Sequence, residues 1–214
     1  MKHIALLTTL LLSASLQAVE KPYDYVFFEN SLMKGDYFYS QAKYTSPSWI
    51  KNARHHLPVA GSVAFTPGNS LELTYVSAPG GDWYSEIQYC PVRGNDFFRE
   101  PSTLSMQVRL RESMNAAALP NIAIRYADST YTQYLNLRNY LKDTRPGVWH
   151  SVSIPLKDFG LNAVNDTNIK KLAAVALRPG TADGNEYTIY LDDIELLPAS
   201  LPSVSALNAP VLQE

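Results

Sequence analysis

Short runs in which apolar and polar residues alternate follow one another along most of the chain. Neighbouring side chains of a β-strand point to opposite faces of the sheet, so this pattern indicates strands with one buried face. No stretch shows a sustained helical period. The predicted strands are 63–65, 71–76, 83–89, 104–110, 122–126, 134–137, 149–155, 172–177 and 187–196, the first two forming a hairpin. Turns rich in Pro and Gly separate them, which predicts an all-β fold: a jelly-roll β-sandwich of two packed antiparallel sheets.

The last of these strands contains two adjacent acids, Asp192 and Asp193. Because neighbours on a strand point to opposite faces, one carboxylate is directed into the core if that face is buried. A buried carboxylate needs a cation or several hydrogen-bond donors, and a hard cation such as calcium suits oxygen ligands. The alternative is an edge strand with two solvated acids.

Both ends of the predicted sandwich resemble a known family. The segment 190–196, Tyr-Leu-Asp-Asp-Ile-Glu-Leu, is similar to the last strand of galactose-binding-like β-sandwiches, a fold shared by many carbohydrate-binding modules of glycoside hydrolases. The segment 27–30, Phe-Phe-Glu-Asn, is similar to their first strand. The resemblance covers residues 23–198. It implies a structural calcium ion held by Glu29 and Asp192, with Asp193 as the alternative, and it places Trp149 in the core.

The composition limits the partners and the compartment. The net charge of −2 gives no electrostatic basis for binding nucleic acid or an anionic membrane. Residues 1–18 have the charged start, apolar centre and small-residue end of a signal peptide cleaved after Ala18, which predicts a secreted or periplasmic protein without membrane insertion. The sandwich domain is expected over 19–198. Residues 199–214 are expected to be a linker or tail, with a segment that resembles the start of a fibronectin type III domain.

Motifs of catalysis are missing from the sequence. It has no Gly-x-Ser-x-Gly elbow, no His-Glu-x-x-His helix, no phosphate-binding glycine loop and no paired-cysteine metal spacing. Glycoside hydrolysis needs two carboxylates that face one cleft, whereas Asp192 and Asp193 diverge. The chain is therefore predicted to be non-catalytic. A jelly-roll polysaccharide lyase or hydrolase stays open as an alternative.

Strand parity points to a binding surface. If Ile122 and Ile124 face the core, Arg125 faces outward, and the next predicted strand turns three further polar residues outward. A sugar ring needs an aromatic side chain for stacking and polar groups for its hydroxyls. The predicted ligand-binding residues of this face are Arg125, Tyr134, Asn136 and Arg138.

Two more pairs of residues are candidates for the same surface. Trp83 and Tyr84 follow a Gly-Gly-Asp loop, so a ring of this pair is expected at a loop rim. Gln107 and Arg109 face outward from the strand before and are expected to extend the face.

The leading hypothesis is a secreted, calcium-stabilised module that binds a polysaccharide or oligosaccharide and accompanies a downstream catalytic domain. The alternative from another class is a structural or protein-interaction domain that binds no sugar.

Overall fold

The computed structural model describes residues 25–29, 34–90, 101–161 and 171–198. This part of the chain is built of strands with three short 3-10 helices at Ala116–Ala118, Leu137–Asn139 and Leu156–Phe159. None of the helices described is long and apolar enough to cross a membrane. The strands are β1 Tyr25–Phe28, β2 Ser40–Thr45, β3 Trp49–Ile50, β4 Val59–Ala60, β5 Ser70–Val76, β6 Asp82–Gln88, β7 Pro101–Leu110, β8 Asn121–Tyr126, β9 Leu135–Asn136, β10 Trp149–Pro155, β11 Leu172–Arg178 and β12 Glu186–Pro198.

The strands form two antiparallel sheets, as the alternation predicts. A seven-stranded sheet has the order β10-β7-β12-β5-β3, with β1 paired to β12 and β4 paired to β5. A five-stranded sheet has the order β2-β6-β11-β8-β9. The fold is therefore the predicted β-sandwich.

The core lies between the inner faces of the two sheets. Along β7, Leu104, Met106, Val108 and Leu110 are buried while the intervening residues are partly exposed. The inner face of the five-stranded sheet contributes, among others, Ile122, Ile124, Val175 and Leu177. Alternation thus leaves two outer faces on which polar and aromatic side chains are presented.

Three details of the predicted strands are wrong. Residues 63–65 form no strand: β4 pairs with the start of β5, and the intervening loop closes through the Ser70 hydroxyl, which donates to the Val63 carbonyl at 2.6 Å. The strand predicted at 134–137 ends at Asn136, because a 3-10 helix begins at Leu137. Finally, β7 belongs to the seven-stranded sheet, so Gln107 and Arg109 lie on the opposite outer face from Arg125.

Candidate functional site

Small side chains form the floor of the outer face of the five-stranded sheet. Ala176 of β11 lies between Ala123 of β8 and Glu86 of β6 in the register, and Ala174 is opposite Arg125. All three alanines are fully buried although they point away from the core. Longer side chains from the flanking strands therefore lean over this floor and cover it.

Arg178 stands at the end of the same strand and is exposed to solvent. Its guanidinium carbon lies 5.8 Å from the ring centroid of Tyr84 and 5.4 Å from that of Tyr134. A guanidinium at this distance is attracted by the faces of both rings. The result is a fixed, accessible donor group with an aromatic ring on either side.

A buried ion pair and a chain of hydroxyl groups hold the neighbouring side chains in place. Arg125 Nε lies 2.5 Å from Glu86 Oε1, and the two side chains are 16% and 4% exposed. The Tyr131 hydroxyl donates to the same carboxylate oxygen at 3.2 Å and lies 3.3 Å from the Tyr84 hydroxyl. Burial, with a hydrogen bond to Glu86, raises the pKa of Tyr84 well above its usual value. The phenol therefore stays protonated, and the face is ordered before any ligand arrives.

The rings continue the same surface toward β9. Tyr131 and Tyr134 lie parallel within 27°, with centroids 6.0 Å apart. Burial raises the pKa of Tyr134, and the positive charge of Arg178 opposes that rise. The site thus combines three tyrosine rings with two arginines, Arg178 exposed and Arg125 partly buried. Chemically it can stack on a flat apolar ligand surface while donating hydrogen bonds to hydroxyl groups beside it.

Strand parity assigned four residues to this surface, and the structure gives them different positions and contacts. Arg125 and Tyr134 lie on it, although Arg125 is ion-paired and not freely solvated. Asn136 has a structural contact instead: its amide donates to the Leu119 carbonyl at 3.1 Å, and its Oδ1 accepts the Arg138 N–H. Arg138 is exposed on the 3-10 helix, and its side chain makes no hydrogen bond or ion pair with the described residues.

Trp83 is a core residue, contrary to the prediction, while its neighbour Tyr84 faces outward. Trp83 is 1% exposed, its indole N–H donates to Ser77 Oγ at 2.9 Å, and its ring centroid lies 4.8 Å from that of Tyr75. The strand's two-residue period requires this split, since Trp83 shares its face with buried Ile87.

The sequence interpretation missed three residues of the site: Glu86, Tyr131 and Arg178. Arg178 could have been found from the sequence, because on β11 it shares the outward face with Ala174 and Ala176. Small residues on an outer face make room for long neighbours, so they mark a place where side chains converge. Tyr131 lies in the loop between β8 and β9, where parity gives no information.

The paired acids of β12 lie at a bulge of the seven-stranded sheet. Asp192 is fully buried, and its carboxylate accepts the backbone N–H groups of Phe65 at 2.8 Å, Thr66 at 3.2 Å and Asp193 at 2.9 Å. Burial raises the pKa of Asp192 to about 6, which these donors oppose. Asp193 has a φ of 45° and accepts the Thr66 hydroxyl at 2.8 Å. Both acids therefore anchor the loop between β4 and β5.

The predicted calcium ligands fit a metal only in part. Glu29 directly follows Phe28, which pairs with Ile194, so its backbone is next to the bulge. The Asp192 carboxylate, however, already has three donors. Among the described residues, no group of three or more His, Cys, Asp or Glu side chains is arranged to hold a metal ion. Calcium binding at Glu29, Asp192 or Asp193 stays a prediction.

Trp149 is not in the core, contrary to the sequence interpretation. It points outward from β10 with Ser151 and Ser153, because Val152 and Ile154 are the buried residues of this strand. Its ring meets that of Phe65 edge to face, with centroids 6.0 Å apart.

The sequence matches one protein family and part of one longer protein. Residues 24–197 match the family described as carbohydrate binding domain 30. The whole chain is 99% identical to part of an exo beta-1,2-glucooligosaccharide sophorohydrolase (non-reducing end) of Parabacteroides distasonis, of which it spans 30%.

Two solved structures agree with these sequence matches. A crystal structure of beta-1,2-glucanase from Parabacteroides distasonis superposes on 91% of this chain, using 28% of its own, with a TM-score of 0.82 and 99% identity. The family 30 carbohydrate-binding module of a cellulosomal cellulase of Clostridium thermocellum superposes on 83% of this chain, using 99% of its own, with a TM-score of 0.57 and 16% identity. At that identity the second likeness concerns the fold alone.

Proposed function

The chain belongs to the carbohydrate binding domain 30 family, and on that premise we propose that it binds a β-linked gluco-oligosaccharide on the outer face of the five-stranded sheet. The observation that carries this proposal is the position of Arg178 between the rings of Tyr84 and Tyr134. A pyranose ring offers apolar C–H faces and equatorial hydroxyls, and this site offers rings beside an exposed, double N–H donor. The ordered network of Glu86, Arg125 and Tyr131 beneath it reduces the entropy lost on binding.

We propose β-1,2-linked glucan as the first ligand to test. The support is the printed activity of the 99% identical relative, whose length is more than three times that of this chain. An accessory role follows: the chain would hold substrate for a catalytic part elsewhere in the longer protein. Export and calcium binding are part of the same proposal: the first is supported by the signal-peptide pattern of residues 1–18, and the second by the resemblance at Glu29 and Asp192.

Affinity electrophoresis through gels that contain soluble β-1,2-glucan or mixed-linked β-1,3-1,4-glucan tests the binding. The unaltered chain is expected to be retarded by one of them. Arg178→Ala is expected to weaken binding about ten- to a hundredfold, as removal of a central arginine anchor commonly does. Lys171→Ala is the matched control, because this exposed cation directly precedes β11 and so lies at the opposite end of that strand from Arg178.

Two outcomes would contradict the proposal. Equal retardation of the unaltered chain and Arg178→Ala would place the sugar elsewhere. Absence of retardation in every gel would favour the spacer alternative, in which the module orients another domain and binds no glycan.

A further inference from the structure

Four outward side chains form a row across the other outer face of the sandwich. The register of the seven-stranded sheet places Glu72 of β5 opposite Tyr190 of β12, Tyr190 opposite Arg109 of β7, and Arg109 opposite Trp149 of β10. Each is partly exposed, and the strand neighbours of Glu72, Tyr190 and Arg109 are buried. Strands in a sheet are about 4.8 Å apart, so the row extends over roughly 14 Å.

Arg109 is the central cation of this row. Its Nε is shielded from solvent without a hydrogen bond, and the guanidinium makes no hydrogen bond or ion pair within the described part of the chain. Glu72 differs, because Lys51 lies 2.5 Å from its carboxylate and Thr74 donates to it at 3.2 Å. The terminal nitrogens of the guanidinium are not shielded in this way and make no hydrogen bond with the described residues, so their N–H groups are the ones available to a ligand.

The loop anchored by the paired acids adds a second ring to this face. Phe65 is 49% exposed and packs edge to face on Trp149. Asp192 holds the Phe65 and Thr66 N–H groups, and Asp193 holds the Thr66 hydroxyl. Because Asp192 is two residues from Tyr190 on the same face of β12, the loop is fixed beside the row. This gives the Asp-Asp pair a purpose besides stability: it sets the position of an exposed aromatic ring.

We propose that this face is a second carbohydrate-binding site, centred on Trp149, Arg109 and Phe65, for a neutral oligosaccharide. The arrangement repeats the chemistry of the opposite face, where an arginine has a tyrosine on each side. Trp149 and Phe65 supply stacking surface, and Arg109 supplies paired donors for neighbouring hydroxyls. The acids Glu72 and Asp193 on the same side disfavour an anionic sugar.

The surroundings of the row favour a sugar over a protein partner. A stable protein interface has a contiguous apolar centre. Val148, beside Trp149, is an exposed apolar neighbour of the row. The outward neighbours on the strands themselves are small and polar: Ser105, Ser151 and Ser153 point outward, and the Ser151 hydroxyl donates to Gln107 Oε1 at 3.0 Å. Aromatic rings among hydroxyl and amide groups suit a ligand that carries both apolar and hydroxyl surface.

Isothermal titration of the whole chain with β-1,2-gluco-oligosaccharides and with mixed-linked β-1,3-1,4-gluco-oligosaccharides tests the proposal. For the sugar that binds, the unaltered chain is expected to show two sites. Arg109→Gln and Trp149→Ala are each expected to leave one site, and so is Arg178→Ala on the opposite face. Combining Arg178→Ala with Arg109→Gln is expected to abolish binding. Lys157→Ala, exposed on the 3-10 helix that follows β10 and outside the row, is the control and should retain both sites.

The variants separate this proposal from the preceding one. If Arg178→Ala has no effect and Trp149→Ala removes all binding, the second site stands and the first proposal fails. A single site that is lost with Arg178→Ala and unaffected by Arg109→Gln overturns the second site. So does a wild-type chain that binds none of the sugars. Arg109→Gln keeps the side-chain length, so it remains informative if Trp149→Ala does not fold.

A fourth outcome concerns a protein partner. If Trp149→Ala leaves sugar binding intact but lowers the melting temperature of the longer Parabacteroides distasonis protein more than that of this chain, the face is a domain interface, and the second site is overturned.

Discussion

At the scale of single residues, two tryptophans show what alternation decides. Trp83 shares its strand face with buried Ile87, and Trp149 shares its face with Ser151 and Ser153. Strand parity alone therefore predicts that Trp83 is buried and that Trp149 points outward. The resemblance to a framework strand suggested the opposite for Trp149, and the local pattern was the better guide because the two-residue period is geometric.

Asp36 gives a residue-scale prediction about pH. Its buried carboxylate accepts two hydrogen bonds from Arg54, at 2.8 and 3.1 Å. These bonds lower the pKa of Asp36 below its usual value. Because the folded-state pKa is lowered, the stabilisation is present above the unfolded pKa of about 3.9 and is lost as pH falls through the folded value.

Urea unfolding at pH 7 and at pH 3 measures this effect. Asp36→Asn is expected to be less stable than the unaltered chain at pH 7 and to lose less stability on acidification. Arg54→Gln is expected to lower the stability at pH 7 in the same way, since it removes the other partner of the ion pair. The double variant is expected to be no less stable than either single variant. Arg54 and its neighbour His55 have left-handed backbone conformations, with φ of 54° and 68°. An unchanged acid dependence in Asp36→Asn would contradict the assignment.

At the scale of elements, the sequence predicted most strands but assigned one to the wrong sheet. Parity shows which residues of β7 point outward, yet it contains no information about which sheet the strand joins. Gln107 and Arg109 were therefore placed beside Arg125 when they lie on the opposite face. The strand predicted at 63–65 is wrong for a different reason: these are consecutive apolar residues before a Pro-Gly turn, but the N–H of Phe65 donates to Asp192 and not to a neighbouring strand.

The bulge at Asp192 gives an element-scale prediction about metal and loop. Asp192→Ala leaves three backbone N–H groups without their acceptor, so we expect the free energy of unfolding in chelator to fall by roughly 1–3 kcal/mol. If calcium is bound as predicted, the ion raises the melting temperature of the unaltered chain and not that of Asp192→Ala.

Glu29→Gln is the variant that isolates the metal. Glu29 makes no described contact with Asp192, so this variant should match the unaltered chain in chelator and lose only the increment due to calcium. Differential scanning fluorimetry in EDTA and in calcium distinguishes the cases. If Asp192→Ala is as stable as the unaltered chain in chelator, Asp192 does not anchor the loop. If calcium does not change the melting temperature of the unaltered chain, the predicted metal site is wrong.

At the scale of the whole molecule, the sandwich presents an arginine with aromatic neighbours on each of its two outer faces. Arg178 is central on one face and Arg109 on the other. Fold class followed from alternation, and the carbohydrate hypothesis came from resemblance. The residues of the first site required the structure, because they come from β6, β8, β11 and a loop that are distant in sequence. Two binding sites on opposite faces of the sandwich can bind two polysaccharide chains, or two segments of one chain.

The last prediction places the module in the longer protein, of which this chain spans 30%. A module that binds the polymer raises the local substrate concentration for a tethered catalytic part, whereas an oligosaccharide too short to reach both sites gains nothing. In the full-length Parabacteroides distasonis protein, Arg178→Ala is therefore expected to raise KM for long β-1,2-glucan several-fold and to leave kcat unchanged. Both constants for a short β-1,2-gluco-oligosaccharide should be unaffected, and Lys171→Ala should behave as the unaltered enzyme. An equal loss on long and short substrates would mean that this face acts on the catalytic part itself. No change on either would leave the module as a spacer.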